Sequence, residues 1–246
     1  MNPNNNTTNA MTGTECWGLH WVSGHAWGDA HPEANIYSDP GELIIDSGMI
    51  RLGIGMKPRK FYGRIYPWCA GVARSLECFM YGTFDLRFRL PIGNNLWPAI
   101  WMYDKQCWPP EIDMLEGWPR LAHWPIPHHT YRKKLFLNNI IPSIHFDSDD
   151  KTLRGGLRGH GTWPWFIDVH GINTLRLRWT PDMVEISYNG HRVMRTRDTA
   201  ALRALNNSCG MHIILNNAVT SMFNHDDYLS LEQRNFIIYD LRYEAL

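Results

Sequence analysis

The sequence predicts an all-β fold, a sandwich or barrel of many short antiparallel strands. Three observations carry that expectation: apolar residues recur with a period of two, turn residues punctuate the chain at short intervals, and helical periodicity is nearly absent. Phe84, Leu86, Phe88 and Leu90 alternate with Asp85, Arg87 and Arg89, as in a half-buried strand. Leu175, Leu177 and Trp179 alternate with Arg176 and Arg178 in the same way. Thr180-Pro181-Asp182 then turns the chain, and Met183 to Tyr188 forms the next strand. Asn189-Gly190 supplies a two-residue hairpin before His191 to Met194. Met211 to Leu215 and Phe236 to Tyr243 read as late strands, and only Asp198 to Leu205 has a pattern for two helical turns. Two stacked, curved sheets leave one concave face for a long ligand.

A chain of 246 residues, 44% of them hydrophobic, can bury one large core. A single domain is expected over 15–246, behind a polar, Asn/Thr-rich tail at 1–14 expected to be disordered. Lys plus Arg and Asp plus Glu both number 24, with no basic stripe, which argues against nucleic acid and anionic membrane as partners. No apolar run approaches the roughly 20 residues that span a bilayer. The N-terminus lacks the basic and apolar regions of a secretory signal. Five cysteines, Cys16, Cys69, Cys78, Cys107 and Cys209, form no disulfide framework. Twelve histidines show no ligand spacing, so no metal is expected from them, and a monomer is expected. Twelve tryptophans are unusual; flat apolar rings suit both a core and the faces of sugars.

The informative segment is Trp108-Pro109-Pro110-Glu111-Ile112-Asp113-Met114-Leu115-Glu116-Gly117-Trp118. Side chains of a strand alternate faces, so Glu111 and Asp113 share one face while Ile112 and Met114 share the other. Strict alternation would then turn Glu116 to the wrong side. A β-bulge at Met114-Leu115 reverses the parity and returns Glu116 to the face of Glu111 and Asp113. Two carboxyl groups about 5–5.5 Å apart are what a retaining glycosidase needs, one as nucleophile and one as acid/base. Asp113 between them can orient the nucleophile, and its charge favours keeping a partner protonated. A solvated acidic edge or a calcium site would also fit three acids. The apolar residues between them mark a central strand, where crowded charge is costly without a use.

Glu111-Ile112-Asp113-Met114-Leu115-Glu116 resembles the signature of glycoside hydrolase family 16 in its bulged, laminarinase-like form. Other segments resemble that family in the right order. They are Tyr81 to Pro91, Leu96 to Met102, Asp168 to Asp182 with Asn189-Gly190, and Ile214 to Val219. The resemblance implies a jelly-roll with a substrate cleft, net retention, Glu111 as nucleophile, Asp113 as its helper and Glu116 as acid/base. It implies a β-linked polysaccharide as substrate. A laminarin-type β-1,3-glucan is the leading expectation, and a galactan of the agar, porphyran or carrageenan type is the alternative. Relatives that only bind carbohydrate usually lose the two glutamates, which are both present here. No cofactor is required by this chemistry. Many members hold a structural calcium through an Asp near the final strand; here Ile238 falls at that place and Asp240 is displaced by two. The resemblance also implies an extracellular protein, although no signal peptide is visible.

Around the acids, Trp97 and Trp101 are four apart and are expected to share a strand face, either both towards the cleft or both in the core. Trp108 and Trp118 bracket the catalytic strand and could stack on a sugar or cap the core. Trp163 and Trp165 lie in a Gly/Pro-rich stretch expected at a cleft rim. By resemblance, His145 sits near the leaving-group side. Arg87, with Arg89 beside Asp85, is a candidate for sugar hydroxyls, sulfate or neighbouring acids, and Asn216 for a sugar hydroxyl or a strand-end cap.

Overall fold

The computed structural model describes residues 13–25, 28, 30–31, 36–93, 95–104, 106, 108–118, 139–147, 154–158, 167–168, 170–220 and 234–246. Within them the strands form three sheets. In spatial order, the first has eight strands, β1 (Thr14–Cys16), β2 (Leu19–Ser23), β9 (Val72–Ser75), β18 (Met211–Asn216), β11 (Ala99–Asp104), β12 (Glu111–Trp118), β13 (Asn139–Asp147) and β14 (Arg154–Arg158). The second has seven, β17 (His191–Thr196), β16 (Met183–Tyr188), β15 (Asn173–Thr180), β10 (Gly82–Arg89), β19 (Phe236–Glu244), β6 (Met49–Leu52) and β5 (Leu43–Asp46). A third, unexpected from the sequence, has four: β3 (Ala30–His31), β4 (Ile36–Ser38), β8 (Arg64–Ala70) and β7 (Ile54–Phe61). Pairing is antiparallel throughout the two large sheets, which makes the architecture the expected jelly-roll.

The period-two pattern fixes what lies between the sheets. Ile100, Met102, Ile112, Ile144, Ile213 and Leu215 of the first sheet meet Phe84, Leu86, Phe88, Leu175, Leu177, Trp179, Ile186 and Ile238 of the second in one core cluster. Side chains of this size each contribute about 1.5–3 kcal/mol when fully buried, so register is strongly specified. The turns behave as their residues require: Asn189 and Gly190 both take positive φ (47° and 80°), as a tight hairpin demands. The expected helix is α1 (Thr199–Asn206), capped by Asp198, whose side chain accepts from the Ala201 amide at 2.9 Å. It buries Ala201, Leu202 and Leu205 against the core.

Two expectations change. Thr14 already pairs with Trp21, so ordered structure reaches into the expected tail; the rest of that tail, residues 1–12, lies outside the described residues. Arg87 alternates as expected, but β10 belongs to the second sheet, where Arg87 sits opposite Thr174 and Asp240 on the outer surface. The acids are on the first sheet, so Arg87 cannot reach them. Ile238 is in the core, and Asp240 Oδ2 lies 3.0 Å from Arg242 Nε. Among the described residues no helix is long and apolar enough to cross a membrane, and Cys16, Cys69, Cys78 and Cys209 form no disulfide.

Candidate active site

The site is built on β12, a central strand between β11 and β13. Its pairing shows the irregularity that the acids require. Against β11, Leu115 faces Ile100 and Asp113 faces Trp101, so Met114 has no counterpart. Against β13, Asp113 faces Ser143 and Glu116 faces Ile141, again with one residue too many on β12. Ile112, Met114 and Leu115 are all fully buried, so the extra residue is absorbed into the core. Glu111, Asp113 and Glu116 therefore leave the strand on the face turned away from the second sheet.

That face is recessed. Asp113 and Ser143 are 5% and 3% exposed although they point away from the core, and Val72, Tyr103 and Ile214 form a small apolar floor beside them with Trp101 against it. Each glutamate receives an indole N–H. Trp108 Nε1 donates to Glu111 Oε2 at 2.6 Å, and Trp97 Nε1 donates to Glu116 Oε1 at 3.0 Å. Trp101 Nε1 donates to Asn216 Oδ1 at 2.7 Å, on the neighbouring strand. The Ser143 hydroxyl donates to Asp113 Oδ2, and His145 Nε2 lies 3.1 Å from the same oxygen and 3.9 Å from Glu111 Oε1.

Burial, and after it the negative charge of Asp113, pushes the Glu111 carboxyl up to about 9. The Trp108 bond pulls the other way but does not win. Glu111 and Asp113 share a hydrogen bond, which adds to the upward push on Glu111. Glu111, Asp113 and His145 each offer one ligand atom within 4.8 Å of the others, a set that could also hold a cation. A cation there would occupy the oxygens needed for attack.

Of the sequence candidates, Glu111, Asp113, Glu116, Trp97, Trp101, Trp108, His145 and Asn216 converge on this face. Trp97 does so from the segment before β11, not from the strand itself; its amide donates to Ala218. His145 faces Glu111 across the ladder, so it stands at the Glu111–Asp113 end of the row of acids. Trp118 closes β12, but its side chain, like Trp163 and Trp165, lies outside the described residues. Ser143 was missed; standing two residues before His145 on one strand, it had to share that face. His25 and His31 were also missed. Their rings lie 6.1 Å from Trp101 and 5.8 Å from Trp97, and burial takes His25 down to about 3, so it is neutral.

No family model matches the sequence. The structure of SCLam, a non-specific endo-β-1,3(4)-glucanase from family GH16, superposes with a TM-score of 0.66 at 19% identity, over 91% of this chain and 83% of that one. The fold is that of glycoside hydrolase family 16. Porphyranase B from Zobellia galactanivorans also superposes on this chain, with a TM-score of 0.70 at 13% identity, over 91% of this chain and 84% of that one. In sequence, the chain is 28% identical over 155 residues to a glucan endo-1,3-beta-glucosidase of Cryptopygus antarcticus, a match covering 62% of this chain. The chain spans 50% of that relative's length.

Proposed function

We propose that the chain is a retaining endo-glycosidase that hydrolyses a β-linked polysaccharide, with a laminarin-type β-1,3-glucan as substrate. The observation that carries this is the placement of Glu111 and Glu116 on one face of one strand, either side of Asp113, each held by a tryptophan N–H. In this reading Glu111 attacks the anomeric carbon while Glu116 protonates the departing glycosidic oxygen, giving a glycosyl-enzyme. Glu116 then takes a proton from water, which releases the sugar and restores both groups. Asp113, steadied by Ser143 and His145, orients Glu111, whose carboxylate form makes the attack. No cofactor enters these steps. A polysaccharide substrate places the protein outside the cell, acting as a monomer.

The name of the Cryptopygus relative favours the β-1,3-glucan. The higher TM-score of the porphyranase favours a galactan as second reading. A panel of laminarin, mixed-linkage glucan, agarose, porphyran and carrageenan separates the two by reducing-end release. Glu111→Gln and Glu116→Gln are each expected to lose at least about a hundredfold on the active substrate while keeping the fold. Near wild-type turnover in either variant would overturn the assignment. Proton NMR of the first product distinguishes retention from inversion, and an initial α-anomer from a β-linked substrate would rule out the double displacement.

A further inference from the structure

We propose that Tyr188 is a positioning residue for acid catalysis, its hydroxyl holding the bulge that turns Glu116 into the site. This rests on the reading of Glu116 as the acid/base. Tyr188 ends β16 in the second sheet, is fully buried in the core between the sheets, and lies opposite Leu175 in the ladder. Its hydroxyl donates to the Met114 carbonyl at 2.7 Å, a bond that crosses from one sheet to the other.

Met114 is the residue of β12 that has no counterpart on either neighbouring strand. A buried carbonyl outside the regular ladder needs a donor, because leaving it unsatisfied is costly. A hydroxyl in the middle of an apolar sandwich is equally costly unless it has an acceptor. The two groups solve each other's problem, and they do so only while the bulge exists. Were β12 to regain regular alternation, Leu115 would face the site and Glu116 would turn towards Ile112 and the apolar core. Tyr188 thus favours the one register that aims Glu116. Burial holds its phenol well above the usual tyrosine range, and the charges of Asp113 and Glu116 add to this, so the group remains a donor at every working pH.

Tyr188→Phe keeps the ring and removes the O–H. Two measurements score it: turnover on the active polysaccharide against release of dinitrophenol from the matching aryl glycoside, and hydrogen exchange of the amides over 112–117. A dinitrophenyl group leaves with little protonation, so loss of acid aim spares it. The expected result is a loss of at least about tenfold on polysaccharide, under about threefold on the aryl glycoside, and exchange over 112–117 at least about tenfold faster than in wild type. Ile186→Val, on the same strand and in the same core without a bond to the bulge, should move both substrates together. Tyr188→Met, which also lacks the donor, is scored identically in case the Phe variant fails to fold. Equal loss on both substrates in a folded variant, or unchanged protection over 112–117, overturns the proposal. A wild type inactive on the whole panel, or a Glu116→Gln variant blind to the leaving group, would instead overturn the reading of Glu116, while the exchange measurement still decides whether Tyr188 holds the bulge.

Discussion

The indole N–H of Trp97 donates to Glu116 Oε1 at 3.0 Å across nineteen positions of chain. Trp97 is itself fixed by the hydrogen bond its amide donates to the Ala218 carbonyl and by ring contact with His31, so the donor cannot swing away freely. Trp97→Phe keeps the apolar packing and removes the bond. A hydrogen bond to a charged group contributes about 1.5–3 kcal/mol, so kcat on polysaccharide should fall roughly ten- to a hundredfold with KM little changed. Steady-state kinetics on polysaccharide and aryl glycoside check this, and a change confined to KM would mean that Trp97 only binds sugar.

Glu111 links stability to pH. Its carboxyl is held up to about 9 in the folded chain against an ordinary 4.5, so between those values the native state keeps a proton that the unfolded chain has lost. Stability is therefore fully present below about 4.5 and falls as pH rises towards 9. Glu111→Gln, which cannot ionise, should melt higher than wild type at pH 8 by an amount on the order of 1–3 kcal/mol, and the gap should close at pH 4. Thermal melts across that range test it; a gap independent of pH would contradict the raised Glu111 carboxyl.

His145 supports the opposite tendency, since its Nε2 lies 3.1 Å from Asp113 Oδ2 and 3.9 Å from Glu111 Oε1. Replacing it with Phe removes a polar partner beside Glu111 and favours its protonated form still further. The acidic limb of the kcat/KM profile should then move to higher pH, with a greater loss at pH 6 than at pH 8. A loss uniform in pH would reassign His145 to sugar binding alone.

The bulge can be tested by count. One residue inserted after Leu115 should turn Glu116 away while leaving Glu111 in place, because strand parity changes only beyond the insertion. Polysaccharide cleavage should fall by at least about a hundredfold and dinitrophenol release by much less. Circular dichroism on the same sample separates loss of aim from loss of fold. Leu115→Ala keeps the count and should cost about 2–5 kcal/mol of stability with the leaving-group preference unchanged.

The sandwich was legible because period-two burial is local: Phe84 to Leu90 and Leu175 to Trp179 carry their own facing. The bulge was legible too, since three acids on one central strand make sense only with an extra residue. Sheet membership was not legible. Arg87 alternates in the same style as the acids, and nothing within its own strand says which of two sheets it joins. The position of His145 along the cleft depended on the register between β12 and β13, which is set by long-range pairing. The third sheet escaped notice because its β4–β8 pairing is parallel and joins distant segments. Nothing in the alternation of Met183 to Tyr188 marks Tyr188 as the residue whose hydroxyl reaches the other sheet.

Trp108 is 47% exposed, yet its N–H holds Glu111 Oε2 at 2.6 Å. One ring is therefore both open to a visitor and wired to an ionisable group. A sugar settling on it would strip water from that bond and alter the affinity of Glu111 for its proton. Thermodynamic reciprocity then requires that protonation alter the affinity for the sugar by the same factor. Occupancy and charge state become a single variable, so calorimetric titration in buffers of different ionisation enthalpy would register protons moving with each molecule bound.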